Sequence, residues 1–224
     1  MTYDIFVGYD PKEAIAFHTC VNSIIRHSSK PVTIHPLALA NLGEYAEIHK
    51  DGSNEFSYSR FLVPYVMSWT GLALYLDGDM VVRDDITKLF EVDRTKAVHV
   101  VKHDYKTTQT RKYLDQPNED YPRKNWSSVI LWTCNNFKHR KLTPEFVENA
   151  TGEYLHRFQW LPDEQIGELP IEWNWLPDEL GENHDAKLLH WTLGTPCFPE
   201  YANANMAEVW HKERALAEYA QEAM

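Results

Sequence analysis

Apolar residues fall in short dense runs separated by polar stretches, and the spacing switches between strand-like and helical. Asp4-Ile-Phe-Val-Gly-Tyr-Asp10 reads as a first strand ending in a turn. Asp10-Pro11-Lys12-Glu13 then supplies an N-cap, a proline at the first helical position and the glutamate of a capping box. The helix runs to about Arg26-His27, with Ala14, Phe17, Val21, Ile24 and Ile25 on its apolar face. Val32 to Leu39 is a second strand, interrupted by Pro36. Ser57 to Trp69 has helical spacing and leads into a buried strand, Leu72 to Leu76. Asp84-Asp85 to Phe90 forms a short helix and Ala97 to Val101 a further strand. Lys102 to Lys124 is polar and aperiodic, which predicts a long loop near a site. Ser127 to Trp132 is another buried strand, and Thr143-Pro-Glu opens a capped helix. Strands are expected around Trp173–Trp175 and Lys187–Trp191, followed by a helix over about 205–222.

Strands alternating with helices predict an α/β fold with a doubly wound, mostly parallel mixed sheet. No repeat, linker or low-complexity stretch divides the 224 residues, so the pattern predicts a single domain over 1–224. A hydrophobic fraction of 43% supplies the core, and a formal net charge of −11 with no basic stripe argues against nucleic acid as a partner. Cys20, Cys134 and Cys197 are three scattered thiols, a pattern of reduced cysteines. No segment has the length and apolarity of a membrane span, and the N-terminus has neither a basic region nor an apolar run. The expected location is therefore cytoplasmic; the oligomeric state stays open.

The strand 72–76 ends abruptly in Asp77-Gly78-Asp79. In an extended chain residues two apart point to one side, and two carboxylates so placed repel unless a cation lies between them. Oxygen ligands at the carboxyl end of a buried α/β strand suit a hard divalent ion, which in turn bridges to diphosphates. A metal is the favoured reading over solvated surface charge, because the apolar strand ahead of the pair takes it off an ordinary surface. His190, after Lys187-Leu-Leu, is by itself more simply a packed core histidine; beside an Asp-x-Asp its neutral imidazole is a reasonable third ligand for manganese. Asp163-Glu164-Gln165 reads either as acids in the first turn of a helix or as a polar cluster that holds a hydroxylated substrate. Of eight tryptophans most belong to packing, and one or two offer an apolar platform for a sugar ring.

Taken in order, these segments resemble the family-8 retaining glycosyltransferases, which have the GT-A, Rossmann-like nucleotide-diphospho-sugar transferase fold. Ser57-Tyr-Ser-Arg60-Phe-Leu-Val-Pro64 followed by Leu74-Tyr-Leu-Asp-Gly-Asp-Met resembles the family's Ser-x-x-Arg block and its metal motif. Asp163-Glu164-Gln165-Ile166, Trp173-Asn174-Trp175 and His190-Trp-Thr-Leu-Gly194 resemble three later elements. The resemblance implies that Asp77, Asp79 and His190 hold Mn²⁺ or Mg²⁺ against the diphosphate of a nucleotide-sugar, a UDP-hexose above all. It implies a donor pocket of Gly8, Tyr9, Asp10, Arg60, Leu76, Asp77, Gly78, Ser127 and Gly194, with Tyr9 against the base. Asp163 would bond the donor sugar, with Arg60 reaching the phosphate or sugar. Glu164 would lie nearest the anomeric carbon, as a stabiliser of oxocarbenium-like charge or as a nucleophile. The acceptor would be a glycan or small hydroxylated molecule.

Three features depart from the family pattern. Trp126-Ser127-Ser128 replaces an Asn-Ser-Gly, Glu164 replaces an amide, and Thr195-Pro-Cys-Phe198 stands where a diphosphate-binding lysine is usual. That neutralising role passes to the metal, Arg60 or a basic residue of the 102–124 loop. Two alternatives stand beside this: Asp77-Gly-Asp79-Met-Val81 also fits a haloacid-dehalogenase-type phosphatase, and a degenerate transferase fold would bind nucleotide or glycan without turnover.

Overall fold

The computed structural model describes residues 3–107, 109–112 and 115–219. Ten strands occur among them: β1 (Asp4–Gly8), β2 (Thr33–Leu37), β3 (Leu72–Leu76), β4 (Met80–Val82), β5 (Val98–Val101), β6 (Arg111–Lys112), β7 (Gln116–Pro117), β8 (Val129–Thr133), β9 (Ile166–Leu169) and β10 (Leu188–His190). Six of them make the central sheet in the order β2-β1-β3-β8-β5-β9. β8 runs antiparallel to both of its neighbours, while the β1–β2, β1–β3 and β5–β9 pairs are parallel. The sheet is thus mostly parallel with one reversed strand, as the alternation of elements predicts.

All five side chains of β3 are buried, which is why it reads as a continuous apolar run. Its alternate residues divide between the two faces of the sheet. Ala73 and Tyr75 join Phe6, Val98, Val100, Ile130 and Trp132 on one face. Leu72, Leu74 and Leu76 join Ile5, Val7, Val101, Val129 and Leu131 on the other. After β3 the chain turns through Asp77–Asp79 and leaves the central sheet. β4 pairs antiparallel with β10 in a separate ribbon, backed by Trp191, Met206 and Trp210. The helix α1 (Ala14–Arg26) packs on that ribbon and on the C-terminal helix Ala207–Glu218. There Glu213, 5% exposed, accepts from Asn22 Nδ2 at 2.7 Å and pairs with Arg26 at 2.5 Å.

Several expectations are revised. Ser57–Trp69 is three short turns rather than one helix: Phe56–Ser59, a 3₁₀ turn Arg60–Leu62, and Val63–Val66. Pro64 has no N–H for the carbonyl of Arg60, so a continuous α ladder cannot pass through it. Trp173–Trp175 is a 3₁₀ turn, Ile171–Asn174, with one bridge from Trp175 to Leu189. β9 was hidden because Gly167 and Glu168 interrupt its apolar run; Gly167 is required, since a Cβ there would lie 2.2 Å from the His99 ring. Ile25, expected on the buried face of α1, is 58% exposed; Phe17 and Ile24 are buried there as expected, joined by Ala16 and Cys20. The 102–124 loop contains the β6–β7 hairpin. The C-terminal helix is described to Glu218, and positions 220–222 of its expected range lie outside the described residues.

Candidate active site

The acid–histidine cluster forms where the central sheet and the ribbon part. Asp77 follows the last residue of β3, and its backbone N–H donates to the Ser128 carbonyl at 3.1 Å. Register does the rest: His190 pairs with Met80 across the ribbon, which sets the imidazole beside Asp79. His190 Nε2 lies 3.2 Å from Asp79 Oδ1 and 3.8 Å from Asp77 Oδ2. One ligand atom from each of the three side chains falls within 4.8 Å of the others. The two carboxylates converge through the turn and not through the pleat of an extended strand. Gly78 makes that turn possible: a Cβ there would meet the Gly8 carbonyl oxygen at 2.4 Å.

Asp77 is the most heavily held member. The Tyr75 hydroxyl donates to its Oδ1 at 2.6 Å, and Arg60 Nη1 lies 2.9 Å from the same oxygen. Arg60 is itself pinned, donating from Nη1 to the Ser127 carbonyl at 2.8 Å and from Nε to the Phe56 carbonyl at 3.1 Å. Burial raises the Asp77 pKa and prevails over the opposing pull of Arg60, with Asp79 adding to the rise. Asp79 Oδ1 is buried without a hydrogen-bond partner among the described residues. A buried carboxylate oxygen left without a donor is costly, and it faces an imidazole nitrogen and a second carboxylate. Two oxygen donors and one nitrogen donor around an orphaned oxygen fit a divalent cation such as Mn²⁺ or Mg²⁺.

The cluster lies in a cavity of about 580 Å³. Of the residues singled out in the sequence, Arg60, Asp77, Asp79, Ser127, His190 and Gly194 line it. Gly8, Tyr9, Asp10, Leu76 and Gly78 do not. Tyr9 packs edge-on against Phe17 with centroids 5.3 Å apart, and Leu76 is wholly buried in the core. Asp10, 1% exposed, is engaged by backbone: it accepts from Lys12 N at 2.9 Å and from Glu55 N at 3.1 Å.

Asp163 and Glu164 are placed elsewhere. They sit on the turn preceding β9, both exposed; Asp163 pairs with Arg123 at 2.6 Å, and the Glu164 carbonyl accepts from Lys96. Ile166 is level with Val98, Trp132 and Ala73 across the sheet. Asp77 is four residues beyond Ala73, about 13 Å further along the strand direction. These two acids therefore stand toward the opposite end of the parallel strands from the cluster.

Other groups in the cavity escaped the sequence reading. Glu13 does not close a capping box; its carboxylate turns inward, 5% exposed, and accepts from the Thr195 hydroxyl at 3.0 Å. Burial, reinforced by Asp79, pushes its pKa up to about 9. Lys112, from β6, lines the cavity, and its side chain has no hydrogen bond or ion pair among the described residues. Burial and neighbouring Lys124 lower its pKa. Glu13 was masked by its capping position, and Lys112 by an aperiodic loop. His156, whose pKa burial pulls down to about 3, shares its Nδ1 with the Ser127 hydroxyl at 2.7 Å.

A mostly parallel α/β sheet with an Asp-x-Asp and a histidine converging at a strand's carboxyl end is the arrangement the resemblance to GT-A glycosyltransferases leads one to expect. Residues 44–192 match the model of glycosyl transferase family 8, and the chain belongs to that family. Protein CDI of Arabidopsis thaliana is 39% identical over 230 residues, 98% of this chain and 88% of that protein. Among solved structures, the bifunctional glycosyltransferase WbbM has a TM-score of 0.68 at 15% identity; the match covers 96% of this chain and 50% of WbbM. The galactosyltransferase LgtC, solved with donor and acceptor sugar analogues, has a TM-score of 0.63 at 15% identity over 98% of both chains. GlyE of Streptococcus pneumoniae TIGR4 has a TM-score of 0.62 at 15% identity, over 96% of this chain and 60% of its own. Neither the phosphatase nor the non-catalytic alternative is favoured by this membership. No helix among the described residues is long and apolar enough to cross a membrane.

Proposed function

We propose that this glycosyltransferase moves a hexose from a nucleoside-diphosphate donor, UDP-linked, to a hydroxyl acceptor with retention, using a divalent ion held by Asp77, Asp79 and His190. The observation that carries the reading is the orphaned Asp79 oxygen facing His190 Nε2 inside a cavity also lined by Arg60, Lys112 and Arg157. When bound, Mn²⁺ or Mg²⁺ supplies Lewis acidity to the leaving diphosphate.

The protein's own groups divide the remaining work. Arg60 bonds Asp77 and Ser127 through Nη1 and Phe56 through Nε, so it fixes the Asp77 carboxylate. Lys112 has no partner among the described residues and is the free cation best placed to meet a diphosphate oxygen, the role left open by the missing lysine. Ser127 and Gly194, both in the cavity lining, would meet the donor. Asp51, Glu119 and Glu153, also in the lining, would offer acceptors for sugar hydroxyls. In the retaining reaction the acceptor hydroxyl attacks the anomeric carbon from the face that the diphosphate leaves. The carbon–oxygen bond to phosphate breaks, and a diphosphate oxygen takes the acceptor's proton. The exposed positions of Asp163 and Glu164 give them no part in this scheme.

A thermal-shift panel of nucleotide-sugars, each with and without Mn²⁺, tests the reading on wild type and Asp79→Ala. A ligand bound only by the native state at 100 times its Kd adds about 2.7 kcal/mol of apparent stability. The expected result is a shift for one donor that requires both Mn²⁺ and Asp79. No shift with any donor would sink the proposal.

A further inference from the structure

His190 is held from behind by a chain of hydrogen bonds whose direction is fixed at its far end. The Ser128 hydroxyl donates to the Asn125 carbonyl at 2.8 Å, which leaves the Ser128 oxygen as an acceptor. The Asn174 side-chain N–H fills that acceptor at 2.8 Å. With its nitrogen so engaged, Asn174 presents its amide oxygen to His190 Nδ1 at 2.9 Å. An amide oxygen only accepts, so Nδ1 must carry the hydrogen. The neutral ring then shows the lone pair of Nε2 to Asp79 and Asp77. Asn174 is wholly buried and Ser128 is 2% exposed, so water does not compete for these bonds.

Local structure explains why the chain is available. Asn174 ends the 3₁₀ turn Ile171–Asn174, directly before the Trp175–Leu189 bridge that fixes it next to β10. Ser128 directly precedes β8, in the position where the resembling family has glycine. A hydroxyl there gives the amide a partner that a glycine does not.

We propose that Asn174 and Ser128 are positioning residues of the metal centre: the Asn125–Ser128–Asn174 chain locks His190 in the Nδ1–H tautomer and so makes Nε2 a ligand. The proposal rests on the metal-dependent reading of the site. Hydrogen-bond partners behind a ligating histidine typically contribute 10–100-fold to metal affinity.

The test has two readouts besides turnover. Mn²⁺ affinity is measured by electron paramagnetic resonance on nucleotide-free protein, and the His190 tautomer by long-range ¹H–¹⁵N correlation on metal-free protein at alkaline pH. Asn174→Leu is expected to lose about 10–100-fold in Mn²⁺ affinity, whereas Asn174→Asp, which keeps an acceptor for Nδ1–H, stays within about threefold of wild type. Ser128→Ala frees the amide to turn over and loses about tenfold or less. An Nε2–H tautomer in wild type overturns the proposal, as does a folded Asn174→Leu that binds Mn²⁺ like wild type. If Asn174→Leu does not fold, the tautomer and the Ser128→Ala affinity decide the matter. Wild type that binds no Mn²⁺ defeats the metal-dependent function itself; wild-type binding unaffected by these variants defeats only the role assigned to Asn174 and Ser128.

Discussion

At the scale of single residues, the site is governed by which polar groups have partners. Arg60 and Asp77 satisfy one another behind side chains that are 6% and 9% exposed, whereas Asp79 is left with an unanswered oxygen and Glu13 with a carboxyl that burial keeps protonated. Glu13 gives a pH dependence whose sign is definite. Its folded pKa of about 9 lies above its ordinary 4.5, so between those values the native state holds more protons than the unfolded chain. Stability of the metal-free protein then falls as pH rises through that window and levels off above it. The slope approaches about 1.4 kcal/mol per pH unit for a single group. Urea unfolding between about pH 5 and 9 is expected to show a shallower decline for Glu13→Gln than for wild type. An unchanged slope would mean that Glu13 does not retain its proton. The sequence put Asp77, Asp79 and His190 in view because each ends an apolar run, a signal that survives in one dimension. It hid Glu13, since a glutamate three residues after an N-cap has a sufficient local explanation.

At the scale of elements, the site depends on strand ends and register. Gly78 packs against the end of β1, and Gly78→Ala is expected to destabilise the fold by about 1–3 kcal/mol while weakening Mn²⁺ binding. Chemical denaturation and metal titration check the two effects, and a variant with wild-type values in both would show that the turn yields freely. The buried strands β1, β3 and β8 were legible because burial on both faces writes a continuous apolar run, and β5 because only His99 interrupts its valines. β9 was not, because a glycine demanded by the His99 ring and an exposed glutamate break its run. Asp163 and Glu164 occupy a 3₁₀ turn that leads straight into β9, so they are left at that strand's start and away from the cavity. The reversal of β8 likewise has no trace in its composition. Strand direction is set by connections and register, which a local window does not contain.

Across the whole molecule, the C-terminal helix supports the site from a distance. Trp210 is wholly buried against the cluster that contains Trp191, the neighbour of His190, and Glu213 ties the same helix to α1. Trp210→Ala is expected to cost about 3–5 kcal/mol and to lower Mn²⁺ affinity, both measurable by thermal unfolding with and without the ion. Loss of stability with metal affinity intact would separate the helix from the site. Asp77 belongs to the central sheet and His190 to the ribbon, and no strand pairing joins the two. An ion gripped by both would therefore be a rivet between two parts of the fold, added to the turn through Gly78 and the Asn174 hydrogen bonds that already link them. On the proposed metal-dependent reading its binding energy is also cohesion, so removing the ion would loosen the ribbon, and the protein's lifetime would follow its supply of the ion.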